Sequence, residues 1–170
     1  MKIKNPFFLI ISISVIVLMG GLFMITATTQ STPQVKVSSL AKADVLTPTS
    51  FDWGNIDYSG PKVTKAFSIK NIGSDVLQLY NIHTSCHCTK AYVTINGEVS
   101  PEFGMDMGGD VSSYIGKVNP GQKADITVVF DPAYHGPEGV GPINRYVNVD
   151  TNDKGQPHLT FTLTGVVIKK

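Results

Sequence analysis

Short runs of β-branched and aromatic residues, separated by Gly, Pro, Asn and Asp, make up the chain from Val45 onward. In residues 124–130 apolar side chains occupy every second position, and in residues 159–164 Leu and Phe alternate with Thr. A period of two is that of a β-strand with one buried face. No stretch of this region has helical periodicity over three turns. The pattern therefore predicts an all-β, Ig-like antiparallel β-sandwich of about seven strands.

The turn residues divide this region into strands and loops. Asn96-Gly97 is a favoured pair for a two-residue hairpin. Residues 101–119 and 132–142 are rich in Gly or Pro and are predicted as long loops, which is where binding residues tend to lie on a rigid sheet. The predicted strands cover residues 50–53, 63–70, 76–82, 91–95, 124–130, 145–150 and 159–167.

The N-terminal segment predicts a membrane anchor. Residues 7–25 are almost entirely apolar and long enough, as a helix, to cross a bilayer. Lys2 and Lys4 precede this run and no charge follows it before residue 36, which places the N-terminus in the cytoplasm. A cleaved signal peptide is the alternative, but its apolar core is usually only about 7–15 residues long.

We therefore divide the chain into three parts. Residues 1–26 are predicted to form a single-pass signal anchor, a transmembrane helix. Residues 27–44, rich in Thr, Ser and Gln, are interpreted as a flexible linker. Residues 45–170 form the predicted domain, outside the cytoplasm in the cell envelope.

Charge and motifs limit the possible functions. The 14 Lys and Arg residues nearly balance the 13 Asp and Glu residues, and no basic stripe exists, so nucleic acid is not an expected partner. The sequence has no nucleophile elbow, phosphate-binding loop or zinc-protease motif. We expect a non-enzymatic protein whose partners are the membrane and an unidentified protein.

The only two cysteines, Cys86 and Cys88, lie one residue apart. In an extended strand their Cα atoms would be about 6.5–7 Å apart, beyond the separation of about 5.5–6 Å that a disulfide prefers. Two same-face thiolates can instead bind one metal ion, at about 2.3 Å each for Zn²⁺. Thiolates and thioethers favour soft metals, so this spacing predicts Cu(I) first and Zn(II) second.

Strand parity and the loops suggest which other donors join the cysteines. His83 and His87 would lie on the strand face opposite the two thiols. The predicted long loops carry a further histidine and two methionines that can fold back over the thiols. The candidate metal ligands are Cys86, Cys88, Met105, Met107 and His135.

Two alternatives to a metal site remain open. Cysteines are often small buried hydrophobes without reactivity, which would leave a structural or protein-interaction module. The pair could also be a labile disulfide that exchanges with other thiols. Redox pairs usually have the spacing Cys-x-x-Cys at a helix N-terminus, and no such helix is predicted here.

Several short segments occur together in a recognisable order: FDWGNI at 51–56, FSIKNIG at 67–73, SCHCT at 85–89, NPG at 119–121 and LTGV at 163–166. Over about residues 46–167 this order resembles the bacterial family catalogued as domain of unknown function 1573. The resemblance implies an Ig-like sandwich similar to the ASH and major-sperm-protein group, and it implies no activity. Residues 103–105 and 131–137 resemble a subgroup that carries Phe-Gly-Met and Asp-Pro-x-x-His-Gly-Pro stretches.

Overall fold

The computed structural model describes Ile11, Ser14 and residues 35–105 and 113–169. The chain divides into two units, Met1–Gln34 and Val35–Lys170. Of the predicted anchor only Ile11 and Ser14 are described, both helical, so that prediction lies outside the described residues. Within the described part of the chain, no helix has the length and apolar character needed to cross a bilayer.

The second unit is a sandwich of two five-stranded sheets. The first sheet has the strand order β1-β3-β8-β5-β6 and the second β2-β10-β9-β4-β7. The strands are β1 (Ala43–Val45), β2 (Ser50–Asp57), β3 (Val63–Asn71), β4 (Leu77–Thr84), β5 (Thr89–Ile95), β6 (Glu98–Val99), β7 (Gly116–Val118), β8 (Lys123–Phe130), β9 (Gly141–Thr151) and β10 (His158–Ile168).

The predicted all-β class and Ig-like sandwich are confirmed, and all seven predicted strands are present. Two short strands, β1 and β7, were not predicted because three residues are too few to establish a period of two. The expectation of purely antiparallel sheets was wrong at one pair, since β2 runs parallel to β10. The Asn96-Gly97 hairpin is confirmed: both residues have positive φ, and β6 folds back on the end of β5.

The ordered domain also begins earlier than the sequence indicates. Ala41 is fully buried and Ala43 is 3% exposed, although both lie in the segment 27–44 interpreted as a flexible linker. Gly73 explains how this segment approaches so closely, because a Cβ on Gly73 would collide with the Leu40 carbonyl oxygen. Small side chains and a short edge strand leave little periodic signal, so this part of the linker prediction fails at residues 35–44.

The core lies between the sheets and has two parts. In the larger part Phe67 of β3 stacks on Phe161 of β10, with ring centroids 4.6 Å apart, which joins the two sheets. A smaller apolar cluster closes one end of the sandwich: Ile56, Cys88, Phe130, Ile143 and Val167. The second cluster brings the cysteine pair to the end where β3 begins and β8 ends.

The opposite end of the sandwich depends on Asn71, which is fully buried. Its side-chain amide donates to the carbonyl oxygens of Asp75 and Val118, each at 2.8 Å, and its side-chain oxygen accepts the Gly73 amide at 2.9 Å. These bonds satisfy backbone groups that would otherwise be buried without partners.

We predict that Asn71→Ala lowers the free energy of unfolding by about 2–4 kcal/mol, because three backbone groups lose their partner. Chemical denaturation followed by circular dichroism measures this. The matched variant Asn144→Ala, at an exposed position, should change stability by less than about 0.5 kcal/mol. Equal effects of the two substitutions would contradict the role assigned to Asn71.

Candidate metal centre

The cysteine pair lies in the turn by which the chain crosses from the second sheet to the first. β4 ends at Thr84 and β5 begins at Thr89, so residues 85–88 make the whole crossing. The Thr89 amide donates to the Cys86 carbonyl at 3.0 Å, and the buried Thr84 hydroxyl donates to the Thr89 carbonyl at 2.9 Å. The segment is therefore a tight turn, and the expectation of an extended Cys86-His87-Cys88 segment was wrong.

The turn brings the two sulfurs together. Cys86 and Cys88 are joined as a disulfide, with Cα atoms 5.3 Å apart, within the range that disulfides adopt. The spacing argument against a disulfide fails because it assumed a strand, and a turn shortens the distance between alternate Cα atoms. The Cys88 amide also lies 3.3 Å from Cys86 Sγ and donates to it.

His135 reaches the sulfurs from the loop after β8. Its Nε2 lies 3.2 Å from Cys86 Sγ. The loop is held at its start by Asp131, whose amide donates to the Cys88 carbonyl at 3.0 Å and whose side chain accepts the Ala133 amide at 3.0 Å. Gly139 lies against the base of this side chain, where a Cβ on Gly139 would come within 2.9 Å of His135 Cβ.

Three of the five candidate ligands therefore converge: one donor atom from each of Cys86, Cys88 and His135 lies within 4.8 Å of the others. Met105 lies close by, because a parallel bridge pairs it with Thr84, and its side chain is 40% exposed. Met107 lies outside the described residues. His83 contacts Asn148 instead, and its Nε2 lies 3.2 Å from the side-chain amide nitrogen of Asn148.

Arg145 is a member of the site that sequence reasoning missed. Its Nε donates to Cys88 Sγ at 3.2 Å, and its Nη1 donates to the Asn144 carbonyl at 2.9 Å. Burial lowers the pKa of Arg145 from its ordinary value, although arginine remains charged at neutral pH. The sequence does contain a signal for this residue. Arg145 has the same inward parity as Ile143 and Val147 on β9, and a charge at such a position requires a partner.

Aromatic rings shield the inner side of the site. The guanidinium carbon of Arg145 lies 6.0 Å from the centroid of the Phe130 ring, which stacks on Trp53 at 5.7 Å. Cys88 is only 2% exposed within this apolar cluster, whereas Cys86 lies half-buried at its edge. An apolar surrounding of this kind limits water access and strengthens local electrostatic interactions.

The site can thus exist in two chemical states. Oxidised, it is a disulfide flanked by an imidazole and a guanidinium. Two-electron reduction would convert both sulfurs to thiols, next to the imidazole nitrogen that lies within 4.8 Å of them in the disulfide form. That donor set suits a soft or borderline metal ion.

Comparison with known families agrees with the resemblance drawn from the sequence motifs. Residues 45–101 match the family described as protein of unknown function, DUF1573. The matched region contains the cysteine turn and ends before Met105 and His135. A comparison with curated proteins finds no match.

One solved structure with a TM-score above 0.5 supports the fold, and two with lower scores are given for comparison. A protein of unknown function from Porphyromonas gingivalis W83 superposes with a TM-score of 0.55 at 17% identity, over 76% of this chain and 49% of that one. The chain thus spans about half the length of that protein. The ASH/PapD-like domain 7 of human CEP192 gives a TM-score of 0.45 at 16% identity, over 81% and 92% of the two chains. The YadV chaperone gives 0.39 at 10% identity, over 75% and 52%.

We predict that the protein, isolated without reductant and then denatured, contains no free thiol, because the turn brings the Cα atoms of Cys86 and Cys88 to 5.3 Å, within the range that disulfides adopt. Thiol titration of the denatured chain checks this before and after reduction, with two thiols expected only afterwards. Two free thiols before reduction, in protein isolated aerobically, would contradict the pairing.

Proposed function

We propose that this protein is a non-enzymatic Ig-like module that binds one Cu(I) ion in its reduced state, through Cys86, Cys88 and His135. The observation that carries the proposal is the approach of His135 Nε2 to within 3.2 Å of Cys86 Sγ, across 49 residues of sequence. A histidine that closes on a cysteine pair from a separate loop supplies a third donor that the turn itself lacks.

The number of donors favours Cu(I) over Zn(II). Structural Zn²⁺ sites almost always have four ligands, usually Cys and His. Among the described residues, the cluster contains three Cys and His donors and no Asp or Glu. Soft sulfur ligands also select Cu(I). We assign Met105 as a candidate fourth, thioether donor, since its backbone is bridged to Thr84, two residues before Cys86.

Charge balance supports the same choice. Two thiolates and one Cu(I) ion carry a net charge of −1, which the guanidinium of Arg145 compensates at 3.2 Å from Cys88 Sγ. Two thiolates and one Zn(II) ion are neutral, which would leave a half-buried arginine without a counterion. An anionic copper site adds an attraction to the guanidinium that a neutral zinc site lacks, so Arg145 favours the monovalent metal.

The proposal also places the domain in the cell envelope. Residues 1–26 would anchor it, with the N-terminus in the cytoplasm and the metal site outside, as the apolar run and the flanking lysines predict. Zn(II) is the second metal and Met107 a further candidate ligand. If the cysteines are inert, the remaining function is that of an interaction module, a common use of this fold.

The reduced full-length protein in detergent should bind one Cu(I) per chain, measured by competition with a chromogenic Cu(I) chelator. We predict that Cys86→Ser with Cys88→Ser abolishes binding, because both thiolates are lost. His135→Ala should weaken the affinity at least about tenfold, about 1.4 kcal/mol.

His83→Ala is the matched control, since this half-buried histidine contacts Asn148 and lies outside the donor cluster. It should bind Cu(I) as the wild type does. If the double serine variant bound Cu(I) as tightly as the wild type, the metal site would be wrong; the interaction-module alternative would then stand.

Arg145→Gln should lower the ratio of Cu(I) to Zn(II) affinity about tenfold, because the anionic copper site loses its counterion while the neutral zinc site does not. Competition titrations with each metal measure the two affinities. Lys123→Gln, which removes the same charge from an exposed position at the start of β8, should leave the ratio unchanged. A ratio that stays constant in Arg145→Gln would refute the charge argument.

A further inference from the structure

The two sulfurs of the disulfide differ in access. Cys88 is 2% exposed and packs with Phe130 and Ile143, whereas Cys86 is half-buried at the edge of this cluster. A thiol arriving from solvent therefore meets Cys86 Sγ first. Thiol–disulfide exchange depends on which sulfur can be reached as well as on the leaving group.

Their charge environments differ in the same sense. Arg145 Nε–H points at Cys88 Sγ from 3.2 Å, and the Thr89 hydroxyl lies 3.7 Å from the same sulfur. Cys86 Sγ faces an imidazole and a backbone amide instead. A fixed cation therefore stabilises the negative charge that develops on Cys88 Sγ during bond cleavage.

Two exposed tyrosines are neighbours of residues in or next to the site. Tyr134, 53% exposed, contacts the His135 ring edge-on at 5.1 Å between centroids. Tyr146, 44% exposed, is hydrogen-bonded through its backbone to Ser85, the residue before Cys86. Exposed aromatic residues of this kind are enriched where proteins meet, which favours a protein over a small molecule as the source of the thiol.

We propose that a partner protein carrying a dithiol reduces this disulfide by attacking Cys86, with Cys88 as the leaving group, and that this step loads the copper site described above. This inference rests on the proposed function only in making copper loading the purpose of the reduction, because the exchange itself needs no metal. It makes the disulfide a substrate of exchange and assigns Arg145 the stabilisation of the leaving sulfur, to which its Nε donates directly.

Bonds and electrons are conserved in this exchange. A thiolate of the partner forms a bond to Cys86 Sγ, the bond between Cys86 Sγ and Cys88 Sγ breaks, and the electron pair remains on Cys88 as a thiolate facing Arg145. The partner's second thiolate then attacks its own first sulfur and releases Cys86 as a thiolate. The partner's dithiol becomes a disulfide and loses two electrons, which the cysteine pair gains; the thiol protons of the partner pass to solvent.

Trapping the mixed disulfide tests the direction of attack. The metal-free full-length protein is incubated with thioredoxin whose second active-site cysteine is replaced by serine, alkylated, and mapped by peptide mass spectrometry. We expect thioredoxin on Cys86 in at least about tenfold excess over Cys88, as the difference in access requires. Attachment at Cys88, or equal attachment at both, would overturn the proposal.

A second experiment replaces the thioredoxin variant with glutathione. If glutathione forms a mixed disulfide at Cys86 and the thioredoxin variant forms none, the partner is a small thiol and the proposed protein partner is wrong. Because both experiments use metal-free protein, their failure would not affect the result of the Cu(I) titration of the chemically reduced protein.

The stabilisation of the leaving thiolate by Arg145 is tested separately, by the rate at which dithiothreitol reduces the disulfide. Arg145→Gln should slow this rate about tenfold, because the leaving thiolate loses its cation, while Lys123→Gln should reduce at the wild-type rate. A wild-type rate in Arg145→Gln would remove Arg145 from the exchange.

Discussion

The crossing from one sheet to the other in residues 85–88 is the constraint on which the site depends. Both ends of this segment are fixed by strands, and the buried hydroxyl of Thr84 bonds across it to Thr89. So short a crossing requires a turn, and a turn with cysteines at alternate positions places their sulfurs in contact. The chemistry of the cysteine pair is therefore set by the topology of the sandwich.

A charged residue in the interior gives this chemistry its asymmetry. Arg145 lies at an inward position of β9, where its neighbours of the same parity are apolar and buried. Burying a guanidinium costs free energy unless a partner is present, and Cys88 Sγ with the Phe130 ring supplies one. The two sulfurs therefore lie in different surroundings, although they are only one residue apart in sequence.

Period-two patterns predicted the seven long strands because each buries one face, and Asn96-Gly97 predicted its hairpin because both residues tolerate positive φ. Strands β1 and β7 and residues 35–44 escaped prediction, since they are held by tertiary contacts such as that at Gly73. In the site, strand parity does not hold through residues 85–88, because the cysteine turn depends on a crossing between sheets that local sequence does not encode. Arg145 could have been found by asking why β9 carries a cation at an inward position.

The sandwich has two poles. The chain enters through Ser38 and β1, next to Asn71 at the end of β3, while Cys88 lies near Phe130, which pairs with Val63 at the start of β3. These ends are the two ends of the nine-residue strand β3, which spans about 26 Å at about 3.3 Å per residue. Residues 35–44 and the cysteine turn therefore lie at opposite ends of the sandwich, about the length of one strand apart.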